Sequence, residues 1–169
     1  MKRIVIVLVA ALALAACQPK ARDAAAQAAP TEQSAASKAY MAKIGKDADV
    51  KVLPSGLAYK VVRSGPATGL KPQLSDEVKV HYEGKLESGT VFDSSYERGQ
   101  PAAMPLKGLI PGWQEALQLM RPGDEWILYV PSNLAYGDEP AGDIPPGSAL
   151  IFKIELMDVL PGPGRIQQG

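Results

Sequence analysis

From Glu77 to Leu86 the chain reads EVKVHYEGKL, and its polarity alternates with a period of two. Val78, Val80 and Tyr82 fall on one side; Lys79, His81 and Glu83 fall on the other. Successive side chains of a strand point to opposite faces, so this is the pattern of a half-buried β-strand. Such a strand needs neighbours to pair with and a core to cover its apolar face. LAYKVV (57–62) and ALIFKIELMDV (149–159) alternate in the same way, with Leu150, Phe152, Ile154 and Leu156 together. EWILYV (125–130) is apolar on both faces, as a central strand would be. Ser88-Gly89 predicts a two-residue hairpin turn into TVFD, which would set residue 87 opposite 90 and 84 opposite 93. With 16 Gly and 15 Pro, the chain is better suited to short strands and many turns than to a helical bundle.

One helix is expected to cover this sheet. In GWQEALQLM (112–120), Trp113, Ala116, Leu117 and Met120 recur at helical spacing as a single apolar stripe, and Arg121-Pro122-Gly123-Asp124 ends it. So short a helix is marginal alone and must draw its stability from packing. A second short helix is expected within SKAYMAKIGKDAD (37–49), with Tyr40, Met41 and Ile44 as a weak apolar face. The fold class is therefore α+β, an antiparallel sheet with one short helix packed on it.

The first residues read as an address rather than as fold. Lys2 and Arg3 precede 13 uninterrupted apolar residues, Ile4 to Ala16, too few to span about 30 Å of hydrocarbon but suited to a signal-peptide core. The run ends in Leu14-Ala15-Ala16-Cys17, which resembles the bacterial lipobox. That resemblance implies lipidation of Cys17 and, with Gln18 following, an outer-membrane destination; the alternative is an ordinary secretory signal beside a coincidental cysteine. Cys17 is the only cysteine, so no internal disulfide can form. Without residues 1–16 the chain holds 16 basic and 18 acidic residues, net −2, so acyl chains rather than a polybasic patch would bind a membrane. The zero formal charge of the whole chain gives no push toward nucleic acid. Residues 18–36 lack any large apolar residue and read as a tether. The expected organisation is a signal peptide (1–16), a flexible tether (17–36), a helical segment with a lead-in strand (37–74), the main domain (75–161) and a loose tail (162–169).

His81, Asp93, Ser94 and Ser95 lie close in sequence and raise the question of a hydrolase. Nucleophilic catalysis needs a base within reach of the serine and a group to orient that base. Alternation puts His81 on the more polar, solvated face, and no G-x-S-x-G elbow is present. A metal site has one His and one Cys to draw on, without clustered carboxylates. Neither reading is favoured, and neither a metal nor a cofactor is expected. Tyr82 is the better lead. The hairpin register puts it on one face with Val91 and Asp93, one diagonal from Asp93 and within reach of its carboxylate. Two explanations remain open for that pair, a buried hydroxyl satisfied by an acid or the wall of a site.

Seven motifs in order, VHYEG, GTVFDSS, LIPGWQEAL, MRPGDE, LAYG, IPP and LIFKIELMDV, resemble the FKBP-type peptidyl-prolyl isomerases, the family that binds macrolide immunosuppressants. The resemblance covers about residues 50–160, and the ordered set carries it. LPSGLAYKVV is similar to the lead-in of the bacterial periplasmic macrophage-infectivity-potentiator type, whose longer N-terminal helical region mediates dimerisation. The shorter segment of this chain implies a monomer or weak dimer. The implied fold is a bent antiparallel sheet wrapped around one short helix, with a pocket between them. Residue by residue, Tyr82, Phe92 and Asp93 match pocket walls, and Arg98 matches the arginine that pairs with the acid. Leu109 and Ile110 match the rim, where the Ile110 N–H would donate to a ligand carbonyl. Trp113 matches the floor, although its helical spacing is equally that of a core residue. Tyr136 matches a hydroxyl donor to substrate carbonyls, and Ile144 and Phe152 match the remaining walls. The implied activity is rotation of X-Pro bonds in exported or unfolded polypeptides, with macrolides as inhibitors. The alternative is a chaperone-like or host-interacting binding lipoprotein with little turnover. Ala102 stands after Pro101 where the family often has an aromatic residue, the loop from Tyr136 to Pro145 lacks a His found in some relatives, and Asp143 precedes Ile144 where an apolar residue is common. These departures bear on substrate preference and macrolide affinity.

Overall fold

A computed structural model describes residues 32–163. The signal peptide, Cys17, tether residues 17–31 and tail residues 164–169 lie outside the described residues. Seven strands form one antiparallel sheet: β1 (Lys51–Val52), β2 (Ala58–Arg63), β3 (Glu77–Leu86), β4 (Val91–Ser94), β5 (Ala102–Pro105), β6 (Glu125–Val130) and β7 (Leu150–Leu160). Their order is β1-β2-β6-β7-β3-β4, with β5 also paired to β3. The alternation of β3 is realised: Val78 and Val80 are fully buried and Tyr82 nearly so, whereas Lys79 is exposed. β7 lies along the whole of one edge of β3, from Glu77↔Leu160 to Leu86↔Leu150. The other edge is shared, with β5 taking Glu77–Val80 and β4 taking Glu83–Lys85. Between β4 and β5 the chain leaves the sheet. β6, apolar in sequence on both faces, lies inside the sheet between β2 and β7.

Helix α2 (Pro111–Leu117) opens with Pro at its first position, where a missing N–H costs nothing. It begins one residue before and ends three residues before the span read from sequence, because Leu119 and Met120 close tighter turns onto Ala116 and Leu117. The apolar stripe holds: Trp113, Ala116, Leu117 and Met120 are all buried in one core with Val78, Val80, Leu128, Val130, Ile154 and Leu156. Burial of such side chains is what stabilises a two-turn helix, at roughly 1.5–3 kcal/mol each.

Two expectations are corrected. Helix α1 spans Glu32–Ile44, so it starts five residues before Ser37 and takes in the end of the expected tether. The tail is not loose at its start. The carboxylate of Asp76, itself buried, accepts the Gly162 N–H at 3.0 Å as well as the Gln73 N–H at 2.8 Å.

Candidate active site

A cleft of about 280 Å³ opens between α2 and the sheet, lined by Tyr82, Phe92, Asp93, Met104, Gly108, Leu109, Ile110, Trp113, Tyr136 and Phe152. Its base is a row of four rings, each meeting the next edge-on. The Trp113 ring meets Tyr82 edge-on at 5.2 Å and Phe152 at 5.1 Å, and Phe92 meets Phe152 at 5.7 Å. Edge-to-face pairs at these separations match the quadrupoles of the rings and fix each one's tilt.

The hairpin differs from the ideal turn. Leu86 N–H donates to Thr90 and Gly89 N–H to Leu86, so the loop is longer than two residues. Gly84↔Asp93 pair as expected, but the next pair is Lys85↔Val91. Phe92 is thus the extra residue of a β-bulge, a feature that re-aims side chains. Strict alternation would send Phe92 and Asp93 to opposite faces, yet both line the cleft, and Val91, expected beside Tyr82, is exposed instead. Gly84 is required here. A Cβ on it would lie 2.7 Å from the Phe92 ring and 2.9 Å from Phe152, so only a bare backbone admits both rings.

Tyr82 hydroxyl donates to Asp93 Oδ2 and accepts from Arg98 Nη2 at 2.9 Å, while Arg98 Nη1 pairs with Asp93 Oδ1. The Arg98 guanidinium also sits 5.5 Å over the Tyr82 ring. Burial, reinforced by the bond to Asp93, raises the Tyr82 pKa above that of a free phenol. Partial burial pushes the Asp93 carboxyl upward, but the hydrogen bonds from Tyr82 and Arg98 outweigh it and hold its pKa below the usual carboxylate range. The phenol is therefore neutral and the carboxylate ionised across the physiological range. Such a cluster fixes orientation and polarity without offering a proton acceptor poised near neutrality.

The structure brings together eight of the ten residues expected at the pocket: Tyr82, Phe92, Asp93, Leu109, Ile110, Trp113, Tyr136 and Phe152. Arg98 does not line the cleft; it reaches the site through Asp93 and Tyr82. Ile144 does not line it either and is buried in the core, with its backbone closing a tight bridge to Ala141. Leu109 and Ile110 are fixed at the rim because Ile110 caps α2, accepting from Trp113 and Gln114, while Gln114 Nε2 donates to Leu109 carbonyl at 2.6 Å. Tyr136 stands half-exposed on the loop between β6 and β7. Sequence reasoning missed Met104 and Gly108. Met104 alternates within the short β5, and that alternation was the one signal that could have pointed to it.

His81 lies on the opposite face, as expected, but it is half-buried rather than solvated. Its ring stacks on Tyr96 at 4.7 Å, and Nδ1 is 2.9 Å from Ser95 Oγ. The histidine and serine do meet, yet Ser95 is fully buried. Its Oγ accepts the Tyr82 N–H at 2.7 Å and its own N–H donates to the Tyr82 carbonyl at 2.9 Å. A serine so enclosed is a backbone clamp and not an accessible nucleophile.

The family model for FKBP-type peptidyl-prolyl cis-trans isomerases matches residues 69–157. The chain belongs to that family. The model for the domain amino-terminal to such isomerases matches residues 8–61. Among similar proteins, peptidyl-prolyl cis-trans isomerase Mip of Coxiella burnetii is 54% identical over 73% of this chain and 53% of its own length. The outer membrane protein MIP of Legionella longbeachae is 46% identical over 76% of this chain and 54% of its own. The chain thus spans about half the length of the curated relatives it matches. The crystal structure of FkpA from Escherichia coli superposes with a TM-score of 0.75 at 42% identity, covering 79% of this chain and 62% of that one. A peptidyl-prolyl cis-trans isomerase from Pseudomonas syringae superposes with a TM-score of 0.71 at 40% identity, covering 80% of this chain and 99% of that one.

Proposed function

We propose that this FKBP-family chain is a peptidyl-prolyl cis-trans isomerase that accelerates X-Pro rotation in exported polypeptides. The observation that carries the reading is the row of edge-on rings, Tyr82, Trp113, Phe152 and Phe92, at the base of a cleft whose one carboxylate, Asp93, is tied to Tyr82 and Arg98. Rotation about an X-Pro bond breaks no σ bond, yet faces a barrier of about 18–20 kcal/mol because twisting removes amide resonance. Unaided it takes tens to hundreds of seconds. The planar amide is the more polar form and is well solvated by water. An apolar cleft favours the twisted form relative to it, which is binding that differs between ground and transition states. The proline ring would seat over Trp113, between Phe92 and Phe152. The Tyr136 hydroxyl and the Ile110 N–H would hold carbonyls of the flanking chain, so that rotation is confined to one bond. Asp93 and Arg98 would keep Tyr82 in place. No proton transfer is needed, which suits a site without a general base poised near neutrality.

A protease-coupled assay on a prolyl peptide tests the reading, and a wild-type rate equal to the uncatalysed background would sink it. The second reading, a binding lipoprotein with little turnover, draws on Ala102, which leaves the cleft without an aromatic wall at that position. Retained binding of unfolded protein without turnover would favour it. The same comparison frames macrolide affinity, which Ala102 and Asp143 should alter. The names of the relatives and the apolar run ending at Cys17 support a place in the cell envelope, on a lipid anchor at Cys17. Incorporation of labelled palmitate, abolished in Cys17→Ser, tests the anchor.

A further inference from the structure

The loop from Pro131 to Ala149 carries Tyr136, and helix α1 touches its far foot and lies across a small cavity from its near foot. At the far foot, Ser37 Oγ accepts the buried Ala149 N–H at 2.9 Å and donates to Glu87 Oε2 at 3.0 Å. Gly147 runs against the helix backbone. Its φ is +75°, and a Cβ there would stand 3.0 Å from Ser34 Cβ and 3.2 Å from Ser34 Cα. Tyr40 packs on Tyr129 near the end of β6 with ring centroids 6.5 Å apart, and Lys38 and Met41 face Pro131, Ser132 and Asn133 of the near foot across a small cavity of about 230 Å³. Gly137 ties the feet together. Its N–H donates to Ser132 carbonyl at 2.8 Å, and its carbonyl accepts the Gly147 N–H at 2.8 Å. Tyr136 is the residue beside it.

We propose that α1 is a positioning element of the site, holding the far foot of this loop so that Gly137, and with it the Tyr136 hydroxyl, is set at the cleft rim. The contacts run without a gap from Ser34 and Ser37 through Gly147 and Ala149 to Gly137. α1 carries almost no apolar stripe, and Ser34 and Ser37 are among its buried residues. It meets this foot of the loop by close backbone approach and a hydroxyl rather than by bulk. A hydroxyl is lost or kept by one atom, which makes the coupling testable.

The proposal rests on the isomerase reading of Tyr136, so the test has an arm independent of turnover. In the full chain, Ser37→Ala leaves the Ala149 N–H unpaired. It should cut kcat/KM by about threefold to tenfold, the scale of one lost hydrogen bond, with Ser37→Thr restoring it. Combined with Tyr136→Phe, Ser37→Ala should cause no further loss, since residues acting through one another are non-additive. Amide exchange at Gly137 and Gly147 should quicken in Ser37→Ala while strand β3 keeps its protection. Equal losses in both backgrounds, or unchanged exchange at Gly137 and Gly147, would overturn the proposal. Gly147→Ala, which pushes the loop from Ser34, should give the same pattern if Ser37→Ala folds poorly. If wild type shows no turnover, the isomerase reading falls, and the exchange measurements alone decide the role of α1.

Discussion

Tyr82 and His81 are neighbours on β3 and lead nearly parallel lives on opposite faces. Each ring meets another ring, Trp113 on one side and Tyr96 on the other, and each has a hydrogen-bonding partner at the end of β4, in Asp93 or Ser95. What separates them is what lies beyond the ring. Beyond Tyr82 are two more aromatic rings and an apolar cleft. Beyond His81 is a strip of surface charge, with Lys153 lying 5.7 Å over Tyr96 and itself paired to Glu125 at 3.0 Å. Polar groups of similar type therefore become either the edge of a site or surface fastening, according to which face of the strand holds the core.

That contrast can be broken or sharpened by substitution. The largest effect is expected on the inner face at Trp113→Ala, which empties the base of the cleft. It should lose about 3–5 kcal/mol of stability in denaturant titration and nearly all isomerase turnover. Trp113→Phe should recover more stability than activity. Next is Gly84→Ala, which drives a methyl group into the Phe92 and Phe152 rings. Overpacking of this kind costs about 1–3 kcal/mol, and the loss of kcat/KM should exceed that of a surface change of equal destabilisation. Tyr82→Phe removes the hydroxyl between Asp93 and Arg98 and should cost about 0.5–1.5 kcal/mol, with reduced turnover.

A pH series isolates the ionic part. The Asp93 pKa is lower folded than unfolded, so its contribution is present above the ordinary carboxylate range, near pH 4, and fades as pH falls through the depressed folded value. The Tm gap between wild type and Asp93→Asn should therefore shrink below about pH 4. The Tyr82 pKa is raised, so the advantage of the neutral phenol should fade as pH climbs past about 10. The smallest effect is expected on the outer face, where His81→Ala should keep turnover within about twofold and cost no more than about 1 kcal/mol. A large loss of turnover there would erase the distinction between the faces.

The sheet was legible because its longest strands alternate over most of their length. β3 and the Leu150–Leu156 part of β7 declare their inner faces residue by residue, and α2 declares its own through Trp113, Leu117 and Met120. The site was less legible where the chain breaks that rhythm. A bulge adds Phe92 without leaving any mark in composition, so period-two reading sends it to the wrong face. The likeness to a family, not the alternation, had pointed to Phe92. Met104 belongs to a strand of four residues, too short for a period to stand out. Ile144 was expected in a wall and packs in the core, because the Ala141 bridge turns its backbone tightly at that point. The early start of α1 was hidden for a different reason. EQSAAS has no apolar face to announce a helix, and its buried residues are serines.

The path of the sheet carries one more consequence. β1, β2 and β6 form one ribbon, and β3, β4 and β5 form another; only β7 joins them. β7 is also the last of the described strands, and its pairing with β3, from Glu77↔Leu160 to Leu86↔Leu150, closes long stretches of chain. Closing such long loops sets the pace of folding more than local propensity does. As the chain emerges from a ribosome or a translocon, its two half-sheets must wait unjoined for residues 150–160. A protein proposed to hasten the folding of others thus cannot complete its own cleft until β7, with Phe152, is delivered.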